Sequence, residues 1–266
     1  MRFTKMQGIG NDYIYVNCFE ETVPDPSATA KKISDRHFGV GSDGLVLICP
    51  DPDADFRMRM FNADGSESEM CGNAARCVGK YVFDRGLTKK TEVQLATGAG
   101  LKVLSIREIN GKAVSVRVDM GEPEVQRIGE TVEANGKTFM FTRVSTGNPH
   151  AVIFQDDVDH FDVAGYGTVI EHHPLFPNRI NTEFAQVLPD GSIRMRVWER
   201  GAGETMACGT GACATLVAAA ANKLTGRKAE LILNGGNLLI EWDEKTGHVF
   251  QEGPAEFVFE GEWPET

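Results

Sequence analysis

Two segments of this 266-residue chain share the pattern C-G-x-x-A: Cys71-Gly72-Asn73-Ala74-Ala75 and Cys208-Gly209-Thr210-Gly211-Ala212. Each lies about halfway through one half of the chain, and each opens a run with helical periodicity. The first, 72–84, carries Ala74, Ala75, Cys77, Val78, Tyr81, Val82 and Phe83 and ends against Gly86. The second, 209–223, carries Ala212, Cys213, Ala214, Leu216, Val217 and the alanines 218–221, so it is apolar around nearly its whole circumference. A helix without a polar face belongs inside a protein. A unit of this kind repeated once implies two pseudo-equivalent domains, each needing a layer to bury its helix.

The rest of the sequence supplies strands for that layer. Residues 56–61 and 193–198 alternate apolar and charged side chains, as half-buried strands do. Asn110-Gly111, Asn135-Gly136 and Asp190-Gly191 lie between β-rich runs, where tight turns need residues tolerant of positive φ. Further strands are expected at 13–18, 45–48, 92–95, 101–106, 113–118, 138–144, 151–154, 183–187, 230–233, 238–242 and 256–259, with outer helices at 27–35 and 163–171. Connections are mostly short, which favours antiparallel or mixed sheet. The expected fold is α+β: two pseudo-twofold-related domains, each a mixed or antiparallel, barrel-like sheet wrapped around a central helix, with the active site in the cleft between them. The domain boundary is expected within 116–122.

Composition narrows the function. Lys and Arg number 27 against 38 Asp and Glu, a net charge of −11. Nucleic-acid binding needs clustered positive charge, and the longest basic runs are the pairs Lys31-Lys32 and Lys89-Lys90. No run approaches the roughly 20 apolar residues of a spanning helix, and the first residues lack the apolar core of a signal peptide. The expectation is a cytoplasmic protein that binds neither nucleic acid nor membrane. In that setting the six cysteines, 18, 49, 71, 77, 208 and 213, are expected as thiols. The spacings 71-x5-77 and 208-x4-213 are looser than common zinc pairs, so no metal is expected.

A thiol at a helix N-terminus is favoured as thiolate by the helix dipole, and a following glycine leaves the backbone amides open to an anion such as a carboxylate. One such cysteine fits a nucleophile, a redox centre or a structural thiol. Two, related by a pseudo-twofold axis, fit something narrower. If they face each other across a small ligand, one thiolate removes a proton from one face while the other thiol returns a proton to the opposite face, inverting a carbon. The carbanion would be stabilised by a desolvated cleft and two helix N-termini. The thiol pKa of about 8.5 suits a base and an acid that exchange roles.

The stretches GIGNDY (8–13), FNADGSESEMCGNAARC (61–77), TGNPHAV (146–152), NRINTEF (178–184) and WERGAGETMACGTGACA (198–214) closely resemble the diaminopimelate epimerases, in the family's order over essentially the whole chain. The resemblance implies a pyridoxal-phosphate-independent, cofactor-free isomerase that converts LL-2,6-diaminopimelate to the meso form for lysine and peptidoglycan synthesis. It implies domains 1–116 plus 255–266 and 117–254, the last strand returning to the first domain, and it leaves a homodimer as a candidate assembly. Carried onto this chain, it makes Cys71 and Cys208 the acid/base pair. Gly72, Asn73, Gly209 and Thr210 hold the reacting α-carboxylate, and Arg200 clamps the distal carboxylate, a bidentate task suited to guanidinium. Glu199 receives the distal ammonium, Asn11, Asn62, Asn148 and Asn181 form the polar lining, and His150 and Glu199 tune the cysteine pKa values. One position departs: some members have glutamine where this chain reads Gly44.

Blander and rival readings remain beside these. His150 follows Asn148-Pro149 and alone reads as a turn histidine; His172-His173 reads as a helix end; Cys18, Cys49, Cys77 and Cys213 read as packing residues; Asn62 reads as the start of a turn with Asp64-Gly65. A proline or hydroxyproline racemase shares the two-cysteine chemistry but has no use for Glu199-Arg200 as a second charge clamp. A non-catalytic amino-acid-binding module has no need of both cysteines. A thiol hydrolase using Cys208 and His150 leaves Cys71 unexplained.

Overall fold

The structure, a computed structural model, describes residues 1–264. The chain divides into two compact units, Met1–Val118 together with the segment from Gly253 onward, and Asp119–Glu252. The first unit contains β1 (Arg2–Gly8), β2 (Asn11–Asn17), α1 (Pro26–Ile33), β3 (Gly44–Cys49), β4 (Phe56–Asn62), β5 (Glu67–Ser68) and α2 (Gly72–Asp84), then β6 (Glu92–Thr97), β7 (Gly100–Ile109) and most of β8 (Lys112–Gly121). The second contains β9 (Glu124–Ala134), β10 (Lys137–Ser145), β11 (Pro149–Phe154), α3 (Val163–Glu171), β12 (Asn181–Val187), β13 (Ile193–Glu199) and β14 (Gly203–Glu204). It continues through α4 (Gly209–Ala221), β15 (Lys228–Leu233), β16 (Gly236–Trp242) and β17 (Val249–Gly253), after which β18 (Glu256–Glu262) pairs antiparallel with β1.

The strand pairing shows that the repeat extends well beyond the two helices. In the first unit β2 runs parallel to β3, β3 antiparallel to β4, β4 parallel to β6 and β6 antiparallel to β7. In the second, β11, β12, β13, β15 and β16 repeat those four relations in the same order. The side chains follow: Arg59 with Glu67 in the first unit matches Arg196 with Glu204 in the second, each pair at 2.8 Å. The fold is α+β, as the sequence implies, with mixed sheet in each unit.

Each unit buries its small-residue helix. Ten residues of α2 and ten of α4 are buried, and alanines 212, 214, 218 and 219 have no exposed surface. Small side chains let strands approach the helix from all sides, which is why α4 needs no polar face. The outer helices cover a second core in each unit. Ala30 and Ile33 of α1 pack on Ile14, Val16, Leu45, Leu47 and Phe61. Val163 and Ile170 of α3 pack with Phe139, Phe141, Ile153, Phe176 and Phe184. Both outer helices carry side-chain N-caps, Asp25 on Ala28 N and Asp162 on Gly165 N.

Several expectations are corrected. Helix 27–35 becomes Pro26–Ile33, and helix 209–223 ends at Ala221. Strands β1, β9 and β17, and the two-residue strands β5 and β14, lie outside the expected set. β1 is buried on both faces along Phe3–Met6, Lys5 included, so it shows no alternation; Lys5 is satisfied by Asp12 and the Gly41 carbonyl. β9 is polar and exposed over most of its length, with Val132 and Ala134 buried at its end, and it is held by its register on β10. The turns at Asn110-Gly111 and Asn135-Gly136 have positive φ at both residues, the geometry a two-residue hairpin requires.

Candidate active site

Cys71 caps α2 and Cys208 caps α4, both in extended backbone conformation, with φ of −141° and −125°. An extended residue just before the first helical turn leaves the next amides pointing past its side chain, which is how a thiol and a set of N–H donors come to share one spot.

In the first unit Cys71 is half-buried and its Sγ lies 3.4 Å from Asn11 Oδ1. The same oxygen accepts from Asn73 Nδ2 at 3.3 Å, and Asn11 Nδ2 donates to Asp43 at 2.7 Å. Asp43 is held in turn by Arg36 at 3.0 Å. Asn73 is buried, and its Oδ1 accepts from the fully buried Arg76 at 2.9 Å. Asn11 follows the Ile9-Gly10 turn, in which Ile9, a buried β-branched residue, has φ of 50°. Such a conformation persists where the surroundings over-determine it, and here the β1–β2 hairpin fixes Asn11 beside Cys71.

In the second unit Cys208 is 6% exposed, and its Sγ accepts from Gly211 N at 3.4 Å and lies 3.5 Å from Thr210 Oγ1. Thr210 Oγ1 accepts from Asn148 Nδ2 at 3.3 Å; Asn148 Oδ1 meets His150 Nε2 at 2.9 Å; His150 Nδ1 meets Glu183 Oε1 at 2.6 Å. His150 and Glu183 are both fully buried. Both ring nitrogens of His150 thus face side-chain oxygens, which fixes the orientation of the ring. His150 is therefore no turn residue but a buried member of β11, joined to Cys208 through Asn148 and Thr210.

The surroundings of Cys208 work against the ionisation that a helix N-terminus favours. Burial, then the negative charges of Glu199 and Glu183, push the Cys208 thiol well above its ordinary range, outweighing the helix-start N–H of Gly211 and the Thr210 hydroxyl. These influences favour the neutral thiol of Cys208 over its thiolate. The Glu199 carboxyl is itself raised by burial, although Thr205 and Cys208 hydrogen-bond it.

Other expected residues have more structural placements. Asn62 Nδ2 donates to Ser66 Oγ at 3.0 Å inside the turn through Asp64-Gly65. Asn181 is buried, donating to Pro149 O and accepting from Arg200 N, both at 2.9 Å, so it fixes the backbone from which Arg200 projects. The Arg200 side chain is exposed and touches Asn178 O at 3.2 Å. Gly44 has a steric cause: a Cβ there would lie 2.1 Å from Phe61 O, so this backbone leaves no room for a side chain. Its counterpart in the second unit is Asn181, since Tyr13 pairs with Gly44 as His150 pairs with Asn181. At Gly209 a Cβ would meet the buried Gln251 amide oxygen at 2.6 Å, so a side chain there would have to displace that amide.

Three residues escaped the sequence reading. Glu183 lies two positions after Asn181 on β12 and so shares its face; that spacing was the available signal. Glu171 is buried and accepts from Trp198 Nε1 at 2.8 Å and Gly201 N at 2.9 Å, pinning the turn that carries Arg200. Asp43 anchors Asn11. Among the described residues no group of three or more His, Cys, Asp or Glu is arranged to hold a metal ion, and no helix is long and apolar enough to cross a membrane.

Residues 3–126 and 142–258 match the family model described as diaminopimelate epimerase. A diaminopimelate epimerase of Acetivibrio thermocellus is 60% identical, covering 98% of both chains. Enzymes of the same name from Desulfovibrio desulfuricans and Methanococcus maripaludis are 54% and 51% identical, each covering at least 98% of both chains. Solved structures share the fold at low identity. A phenazine biosynthesis protein of the PhzF family from Bacillus anthracis has a TM-score of 0.75 at 16% identity, covering 100% of this chain and 99% of its own. A hydroxyproline epimerase from Agrobacterium vitis has a TM-score of 0.70 at 17% identity, covering 98% and 91%.

Proposed function

Because the chain belongs to the diaminopimelate epimerase family, we propose that it inverts one α-carbon of LL-2,6-diaminopimelate to give the meso form, with Cys71 and Cys208 as the proton-transfer pair and no pyridoxal phosphate. The observation that carries this reading is the duplicated cap: in each unit an extended cysteine stands at the N-terminus of a buried small-residue helix. Diaminopimelate epimerase is also the name carried by relatives at 50–60% identity along nearly the whole chain.

The protonation state of Cys208 orders the steps. In the direction that uses Cys71 as base, its thiolate takes the α-proton while Cys208 already carries the proton to be delivered to the opposite face. In the reverse direction the roles exchange, Cys208 acting as the base and Cys71 as the acid. Negative charge developing on the α-carboxylate is met by the amides of Gly72 and Asn73 and by those of Gly209 and Thr210, with the Thr210 hydroxyl. Thr210 is aimed by Asn148, which is braced by His150 and Glu183. Arg200 presents its fork to the distal carboxylate, and Glu199 with Asn11, Asn62, Asn148 and Asn181 completes the polar lining. Asn181 acts through the Arg200 backbone.

The test is incubation of the reduced protein with LL-diaminopimelate in deuterated buffer, without added pyridoxal phosphate, with proline in parallel. Formation of the meso isomer carrying deuterium at the inverted carbon, with proline unchanged, is expected. Racemisation of proline, or inertness of folded protein toward diaminopimelate, would overturn the assignment.

A further inference from the structure

Cys18 and Cys49 stand at the opposite ends of β2 and β3 from Asn11 and Asp43. The strands run parallel with Asn17 opposite Ile48, and Cys18 N donates to Ile48 O at 2.9 Å, so the register continues to set Cys18 beside Cys49. Both side chains pack against the cluster that contains Val16 and Leu47, two positions before each, and therefore lie on one face of the sheet. Adjacent strands are about 4.8 Å apart, inside the Cα separation that a disulfide spans. Both thiols are half-buried, at the rim of the core. On the other side of β3, Arg57 pairs with Cys49 and Arg59 with Leu47, bringing two guanidiniums to the same rim. The neighbouring Cys18 thiol lowers the Cys49 pKa to about 7 against the effect of burial, with Arg59 and Arg57 adding to it, whereas the Cys18 thiol, whose Sγ lies 3.9 Å from Val16 O, is raised by Cys49 and by burial. One sulfur is thus prepared to attack and its neighbour to resolve.

We infer that Cys18 and Cys49 form a redox-active dithiol, a modification site for hydrogen peroxide separate from Cys71 and Cys208. The Cys49 thiolate attacks one peroxide oxygen. The O–O bond breaks, Cys49 is oxidised to sulfenic acid, and hydroxide leaves and takes up the proton that Cys49 had released, forming water. The Cys18 sulfur then attacks the Cys49 sulfur, the S–O bond breaks, and a second water departs with the Cys18 proton. Two thiols and one peroxide become one disulfide and two waters. The bond would clamp the ends of β2 and β3.

The test treats the reduced full-length protein with hydrogen peroxide, alkylates the remaining thiols and digests with trypsin without reductant. Cleavage after Lys31 and Arg36 places the two cysteines on different peptides. A linked pair of peptides that reductant separates, with loss of alkylation at both cysteines, is expected. Full alkylation of both after peroxide, or Cys49 oxidised to sulfinic acid while Cys18 still alkylates, would overturn the inference. In Cys18→Ser the Cys49 sulfenic acid loses its resolving thiol, so dimedone trapping at Cys49 should rise about tenfold or more over wild type. Equal trapping in the two proteins would also overturn it.

Discussion

A cysteine at a helix N-terminus is expected to ionise readily, yet Cys208 sits where desolvation and two carboxylates oppose the dipole and win. The sequence showed the cap and hid the carboxylates: Glu199 was visible beside Arg200, whereas Glu183 belongs to a different strand and meets α4 only in three dimensions. Removing one negative neighbour should lower the Cys208 pKa, so Glu199→Gln should move the pH midpoint of Cys208 alkylation downward. An unchanged or raised midpoint would contradict the electrostatic reading. A second test compares side chains with and without a proposed substrate contact. Arg200→Lys should reduce diaminopimelate turnover far more than Cys77→Ser, because an ammonium cannot reproduce the guanidinium fork. Similar losses in the two variants would contradict the site assignment.

The limits of α2 and α3 coincide with those read from the sequence, because Gly86 after one and Pro174 after the other punctuate an apolar run. β1 and β9 were illegible for opposite reasons, one buried on both faces and the other exposed along most of its length, so neither carries a two-residue period. Gly44 looked like a missing substrate contact and is instead a point where β3 and β4 approach too closely for a side chain. Gly44→Ala should therefore destabilise the protein by about 2–3 kcal/mol or more through overpacking against backbone. Gly86→Ala meets nothing within 4 Å and has φ of 73°, so it should cost only about 1 kcal/mol of conformational strain. Urea unfolding midpoints of the two variants check this; equal shifts would contradict it.

For the whole molecule, duplication is what made the architecture readable from two short segments. The repeat of strand relations and of the Arg–Glu pairs shows the two units solving the same burial problem, once each. That shared solution has a pH signature, because burying helices lined with cysteine buries thiols. Desolvation raises Cys77 from 9.0 to about 11, with Tyr15 and Arg76 opposing it. A thiol whose folded pKa exceeds its unfolded value contributes stability that is complete below the unfolded value, here about 9, and lost as pH rises through the folded value. The loss from Cys77 should reach about 2 kcal/mol near pH 11, and Cys208, raised for the same first cause, loses stability in the same direction. Urea unfolding at pH 8 and at higher pH should show this decline, with a shallower slope in Cys77→Ala; a flat profile or an unchanged slope would contradict it.

The central claim is that both helix-start cysteines move protons at one carbon. The most direct measurement is the rate of LL-to-meso conversion by Cys71→Ala and by Cys208→Ala, each confirmed as folded, against wild type under reducing conditions. Loss of a general acid or base should lower the rate by roughly 10²–10⁴-fold in each variant separately. Either variant converting diaminopimelate at near the wild-type rate would contradict the account.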